Sequence, residues 1–138
     1  MMNAVSEVNW VAVLVASVAT FMLGAVWYMG LFKKAYARAL GREGQQEQKP
    51  SPLFIAGPFL CGLVVNATDA VLMRALKVSS YEQGLVFGAV VGLGYLVAMT
   101  VNIAINPNFP RPFFYAAISG SYFFVGNLVV SLVLVAMA

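Results

Sequence analysis

The chain has 138 residues, of which 62% are hydrophobic and 9% charged, with eight Lys and Arg against five Asp and Glu. A soluble chain is about half apolar and about a quarter charged, because polar groups must cover its surface. This balance excludes a soluble enzyme, a disordered chain and a disulfide scaffold, and it points to lipid as the solvent.

The inventory excludes further chemistry. There is no histidine, so the commonest general base and metal ligand is missing. The single cysteine, Cys61, has no partner for an internal disulfide, and no Cys or His cluster can hold zinc, haem or an iron–sulfur centre. No Ser or Lys has a recognisable catalytic companion. The expectation is therefore no cofactor, no metal, no catalytic residue and no enzyme activity. The net charge of +3 reads as orientation in a membrane rather than as affinity for nucleic acid.

Four apolar runs follow in order, and together they predict an all-α, antiparallel four-helix membrane bundle forming one domain over residues 1–138. The first, residues 10–32, is long enough to span a bilayer core and too long for a signal peptide, and no Lys or Arg precedes it. Residues 33–52 form a polar connector. Its start, KKAYARAL, extends the helix along the surface, and GREGQQEQKPSP reads as a loop. The second run, 53–73, includes Pro58, which neighbouring helices accommodate in a membrane. The third is 83–105. A turn with three prolines, Pro107, Pro110 and Pro112, leads into the fourth, 113–138.

Direction follows from the basic residues. Lys33, Lys34, Arg38, Arg42 and Lys49 lie in the first connector and Arg111 in the third, against only Arg74 and Lys77 on the other side. That distribution places the first and third connectors in the cytoplasm and both termini outside. Trp27 and Tyr28, with Tyr36 and Tyr115, then sit near the inner interface as anchors, and Trp10 and Tyr81 near the outer one.

At 100° per residue each span has one face richer in small or polar residues. On the first, Ser17, Phe21, Gly24 and Tyr28 align. On the second, Pro58, Gly62, Asn66, Asp69 and Met73 fall together. On the third, Gly84, Gly88 and Gly92 recur at four-residue spacing, followed by Tyr95, Met99, Asn102 and Asn106. On the fourth, Ala116, Gly120, Phe124, Asn127 and Ser131 align. Small residues let helices approach closely, so Gly24, Gly62, Gly84, Gly88, Gly92 and Gly120 are the candidate packing positions. A homo-oligomer face is the alternative use of the glycine series.

Asp69 is the one acidic residue well inside an apolar run. Such residues usually face a bundle interior or a cavity. Counted from the inner end of its span it lies roughly 24 Å up, with Asn66 at about 20 Å and Asn127 at about 21 Å. Ser17 reaches a similar depth, so Ser17, Asn66, Asp69 and Asn127 form a candidate polar cluster in the outer half. One reading is a proton or solute site with Asp69 as its titrating group. The other is a structural network, or an Asp held by Arg74 or Lys77. The triplet Asn66-Ala67-Thr68 matches a glycosylation site but lies inside a span.

The run Asn9-Trp10, Gly24-Ala25-Val26-Trp27-Tyr28, Phe32 and Ala35 resembles the opening of a small bacterial membrane-protein family catalogued as domain of unknown function 1761. The resemblance continues through the glycine-rich third span to Asn102, the Arg111-Pro112 turn and Gly120-Ser121-Tyr122. It implies four spans over essentially the whole chain. It implies no reaction, cofactor or catalytic residue.

The role expected from sequence is a structural or accessory subunit acting through helix–helix contacts. The alternative is a small oligomeric transporter or channel built on the cluster around Asp69. The bilayer is the expected partner, with a second copy or a larger membrane complex; the sequence names no small-molecule ligand. The absence of an acidic residue between Val8 and Phe32 separates the chain from small multidrug exporters, which carry a carboxylate in their first span.

The basic count generates a topology test. With Cys61 replaced, a cysteine at Ser79 should react with an impermeant maleimide in intact cells, and one at Gln46 should not. The opposite pattern would invert the orientation.

Overall fold

The computed structural model describes residues 2–47 and 49–138, and it is helical throughout with no strand among them. A short helix, α1 (Met2–Ser6), precedes the first span, α2 (Trp10–Ala25), which continues as a π-helical segment over Val26–Leu31. A surface helix, α3 (Lys33–Ala39), follows, and the second span is α4 (Pro52–Ala75). The third span is α5 (Tyr81–Val91), a second π segment (Gly92–Val97) and α6 (Ala98–Ala104); the fourth is α7 (Pro112–Ala136). All four spans are long and apolar enough to cross a membrane. The chain is a multi-pass membrane protein.

Local chemistry sets the ends of the spans. Asn9 caps α2 by accepting from the amides of Val11 and Ala12 at 3.1 and 3.2 Å, and its own amide donates to the carbonyl of Met137 at 2.8 Å. One side chain thus caps the first span and ties it to the end of the fourth. Ser80 caps α5 through the amide of Gln83, whose side chain accepts from the amide of Ser79. That cap starts the third span two residues earlier than its hydropathy suggests. Pro52 and Pro112 open α4 and α7, where a missing N–H costs nothing.

The second span runs to Ala75, beyond the predicted Met73, and ends in a paired-bond C-terminal motif. The amide of Val78 donates to the carbonyl of Met73 at 2.9 Å and that of Lys77 to Arg74 at 3.1 Å, with Lys77 at φ 57°. A lysine holds the left-handed position that glycine usually takes. The same motif closes α3, where Gly41 has φ 68° and the amide of Arg42 reaches the carbonyl of Ala37.

The fourth span is the hub. It packs along the third span on one side and the first on the other, and meets the surface helix α3. The second span leans on the first, touches the fourth at a few points and has no extended contact with the third among the described residues. Ala12, Val13 and Ala16 of α2, Ala70 and Met73 of α4, Phe87 of α5, and Val130 and Leu134 of α7 form the apolar core.

Gly84, Gly88 and Gly92 of the third span face α7. A Cβ on Gly88 would lie 2.7 Å from Ser131 Oγ and 3.1 Å from the carbonyl oxygen of Asn127; one on Gly84 would lie 2.9 Å from Val135 Cγ2. At Gly92 the nearest atoms, on Asn127 and Phe124, are at 3.4 Å. Beyond Gly92 the face expected from sequence does not continue. Tyr95, Met99 and Asn102 are exposed, and Thr100 and Ala104 are buried in their place. The π segment that begins at Gly92 adds a residue to the turn and rotates everything after it by one position.

Gly88 and Gly94 therefore make a matched pair. Gly88→Leu should destabilise the detergent-solubilised protein by about 1–3 kcal/mol or more, the range for overpacking a close contact. Gly94→Leu, with no atom within 4 Å of its Cβ position, should be near neutral. Equal unfolding temperatures would show that the two spans are free to separate.

Candidate functional site

The end of the bundle that carries both termini holds a buried polar layer. Counting inward from this end at 1.5 Å per residue, Ser17, Asn66, Asp69, Gly88, Asn127 and Ser131 all lie roughly 8–14 Å deep. Ser17, Asn66, Asp69, Asn127 and Ser131 are buried, and Gly88 lies with them. Asn66 Nδ2 donates to Ser17 Oγ at 3.0 Å and to Thr20 Oγ1 at 3.5 Å, joining the second span to the first. Asn127 Nδ2 donates to the carbonyl of Gly88 at 3.1 Å, joining the fourth to the third. Ser17 and Ser131 each donate to a carbonyl one turn back in their own helix. Ser17 is thus bonded to Asn66, and Asn127 belongs to a second pairing across the layer.

Asp69 joins neither pairing. It is 2% exposed, and its Oδ2 is buried without a hydrogen-bond partner, as is Oδ1 of Asn127. Leaving one buried polar atom unpaired costs about 1–3 kcal/mol. Nor does a cation meet the carboxyl. Arg74, five residues on, pairs instead with Glu7 at 2.9 Å, and the other ion pairs among the described residues, Lys33–Glu47 and Arg38–Glu43, lie at the far end. Lys77 is exposed and forms no ion pair there. The anchoring of Asp69 by Arg74 or Lys77, considered from sequence, is absent.

At the opposite end, the Gly24-Ala25-Val26-Trp27-Tyr28 element builds an aromatic joint between the first and fourth spans. Trp27 Nε1 donates to the carbonyl of Ile118 at 3.0 Å and Tyr28 donates to Ser119 Oγ at 2.9 Å. Tyr122 donates to the carbonyl of Thr20 at 3.0 Å, and its hydroxyl would lie 3.0 Å from a Cβ on Gly24. Trp27 and Tyr28 therefore turn their polar tips into the bundle rather than toward headgroups as expected of interface anchors. The physical reason is the π turn, which lets two consecutive residues address one partner helix; Phe32 closes it by donating to the carbonyl of Trp27 at 2.8 Å. Trp10, half exposed at the terminal end, keeps an anchor's position. Outside the spans, burial and the neighbouring Tyr115 raise the Tyr36 hydroxyl above its ordinary value.

Two other packing positions differ from expectation or lie apart. A Cβ on Gly62 would meet nothing within 4 Å, although Gly62 is half-buried and shares its face with the buried Asn66, Asp69 and Met73. Gly120 has Val97 at 3.5 Å. Among the described residues, no three His, Cys, Asp or Glu side chains converge as metal ligands.

Four apolar helices, polar side chains turned inward and a lone buried carboxyl define a small helical integral membrane protein. Within that class, the family model described as a protein of unknown function (DUF1761) matches residues 11–135, and the chain belongs to that family. No curated protein and no solved structure matches it.

The aromatic joint is testable by a double-mutant cycle. Tyr28→Phe and Ser119→Ala, singly and together, should give a coupling of about 0.6 kcal/mol, and at most about 2 kcal/mol, in detergent unfolding, as membrane hydrogen bonds do. Strict additivity would mean that the two hydroxyls do not meet.

Proposed function

We propose that the chain is a small ion-exchanging protein of a bacterial cytoplasmic membrane, with Asp69 as the group that takes up and releases the ion. The single observation behind this reading is a carboxyl buried inside the bundle, with one oxygen unpartnered and its only neighbouring arginine committed to Glu7. Ionisable residues within spans are costly, usually face a bundle interior or a water-filled cavity, and mark ion and substrate pathways and proton relays. A register-setting network would be expected to close its bonds, as Ser17 with Asn66 does. The role involves no covalent chemistry, no cofactor and no nucleic acid. Its setting is the bilayer, with both termini on the outer side by the distribution of basic residues, and a second copy or a larger membrane complex as partner.

The competing role, an accessory subunit held through glycine faces, has less surface to work with. Gly84, Gly88 and Gly92 already face α7, and Gly24 already faces Tyr122. Gly62 alone among the candidate packing glycines has open space at its Cβ position.

Reconstituted liposomes with an entrapped pH dye test the reading. Asp69→Asn keeps the shape and removes the titration, so it should abolish proton-coupled flux while leaving the helical content and unfolding temperature close to wild type. A wild-type flux that persists in Asp69→Asn would remove Asp69 from the pathway.

A further inference from the structure

One cavity bears on the buried carboxyl. At the terminal end lies a chamber of about 90 Å³, room for several water molecules. Its deep wall consists of Ala12, Ala70, Met73 and Leu134, all buried. Met73 is one turn beyond Asp69 on the same helix face, and Ala70 is the residue after it. The shallow wall holds Glu7 and Arg74, the exposed ion pair at 2.9 Å. Val78 also lines it, folded back over Met73 by the bond from its amide to the Met73 carbonyl. The arrangement is a small water-sized space between the terminal-end surface and the turn of Ala70 and Met73, with a charged pair at its mouth; Asp69 does not itself line it and lies one helical turn deeper, behind Met73.

We propose that the exchanged ion is a proton, that it reaches Asp69 from this chamber, and that the Glu7–Arg74 pair gates the entry. This inference rests on the reading of Asp69 as an exchanging group. The choice of ion follows from the ligands available. A metal cation wants several oxygen ligands; in this layer Ser17 Oγ already donates to Val13 and accepts from Asn66, and besides Asp69 Oδ2 the one buried side-chain oxygen left without a partner among the described residues is Oδ1 of Asn127. A proton needs one oxygen. A hydronium in the chamber passes its proton inward past Met73 to the Asp69 carboxylate and leaves as water; in the reverse step the carboxylic acid returns the proton by the same way to a chamber water. The chamber also meets the terminal carboxylate of Ala138 beside the Glu7–Arg74 pair. The first and fourth spans carry no acidic or basic side chain, the third carries only the exposed Glu82, and on the second span and the segments around it the charged groups are Arg74, Lys77 and Glu7.

The gate explains why a five-residue helix precedes the first span. α1 packs on α4, and Glu7, which follows it, brings the carboxylate to Arg74. An exposed ion pair contributes about 0.2–1 kcal/mol, which suits a mouth that opens often.

Infrared spectroscopy of the full chain in lipid reads the step directly. The carboxylic-acid C=O band that disappears in Asp69→Asn belongs to Asp69, and its shift on transfer to heavy water reports how fast solvent exchanges the proton. Glu7→Gln should speed that exchange about 1.4- to fivefold, the ratio that corresponds to an exposed pair's stabilisation. Glu7→Cys (with Cys61 replaced) should likewise exchange faster, and capping that cysteine with a bulky maleimide should slow exchange below wild type. Comparing one preparation before and after capping removes differences in folding from the test. Ala12→Leu, which fills the chamber, should slow exchange at least about tenfold where it folds, because the carrying water loses its place. Exchange unchanged by capping overturns the chamber as the entry. The absence of any Asp69 acid band from acidic to alkaline buffer overturns the proton itself. Neither result depends on flux, so a failure here is distinct from a flux that ignores Asp69→Asn.

Discussion

In hydrocarbon a polar atom has no water to turn to, so it must find its partner within the protein. That constraint organises this molecule. Each span carries few polar side chains, and most are placed where another span, or their own helix one turn back, can receive them. Asn66 meets Ser17, Asn127 meets the carbonyl of Gly88, Trp27 and Tyr28 meet Ile118 and Ser119, and Tyr122 meets Thr20. Four of these five links end on the fourth span, which is why that span becomes the hub on which the first and third are set. Asn9 adds a further tie, from the start of the first span to the end of the fourth.

Close helix contact and polar satisfaction depend on one another. The amide of Asn127 reaches the Gly88 carbonyl because no side chain at Gly88 holds the two backbones apart. Ser131 and Val135 use the same glycine face one and two turns further along. The second span lacks such a face. It leans on the first and leaves Gly62 open, so it is the least enclosed of the four. Asp69 lies on this span, beside the chamber end, and a less tightly held helix is where an exchanging group is best placed to change its surroundings.

Much of this was legible in the sequence because lipid makes the pattern simple. Four long apolar runs, a basic first connector and a lone internal Asp are compositional signals that survive without any knowledge of packing. The similar depth of Ser17, Asn66, Asp69 and Asn127 followed from helical rise alone, but their division into two pairings, with Asp69 in neither, did not. The misplacements have a common physical source, which is backbone geometry that departs from 3.6 residues per turn. The π turn at Gly92 moved the buried face from Tyr95 and Met99 to Thr100 and Ala104. The π turn at Val26 sent Trp27 and Tyr28 inward together, where an ideal helix would have splayed them. The pairing of Arg74 with Glu7 was hidden for another reason. It depends on α1, a helix too short and too polar to announce itself, and on the left-handed turn at Lys77, a position where glycine would have been the signal.

The family to which the chain belongs, a protein family of unknown function, matches nearly its whole length, so the polar layer and the aromatic joint lie within the shared region, while Glu7, Val8, Asn9 and Ala138 of the chamber lie outside it. The central claim is that Asp69 faces the bundle interior unneutralised by any cation. The most direct measurement is an experimental structure of the protein in a lipid nanodisc, at a resolution that shows ordered water. It should show Arg74 turned to Glu7, and Asp69 held inside the polar layer with water in the chamber beyond Met73. An Asp69 carboxylate bonded to Arg74 or Lys77 at the membrane surface would contradict it.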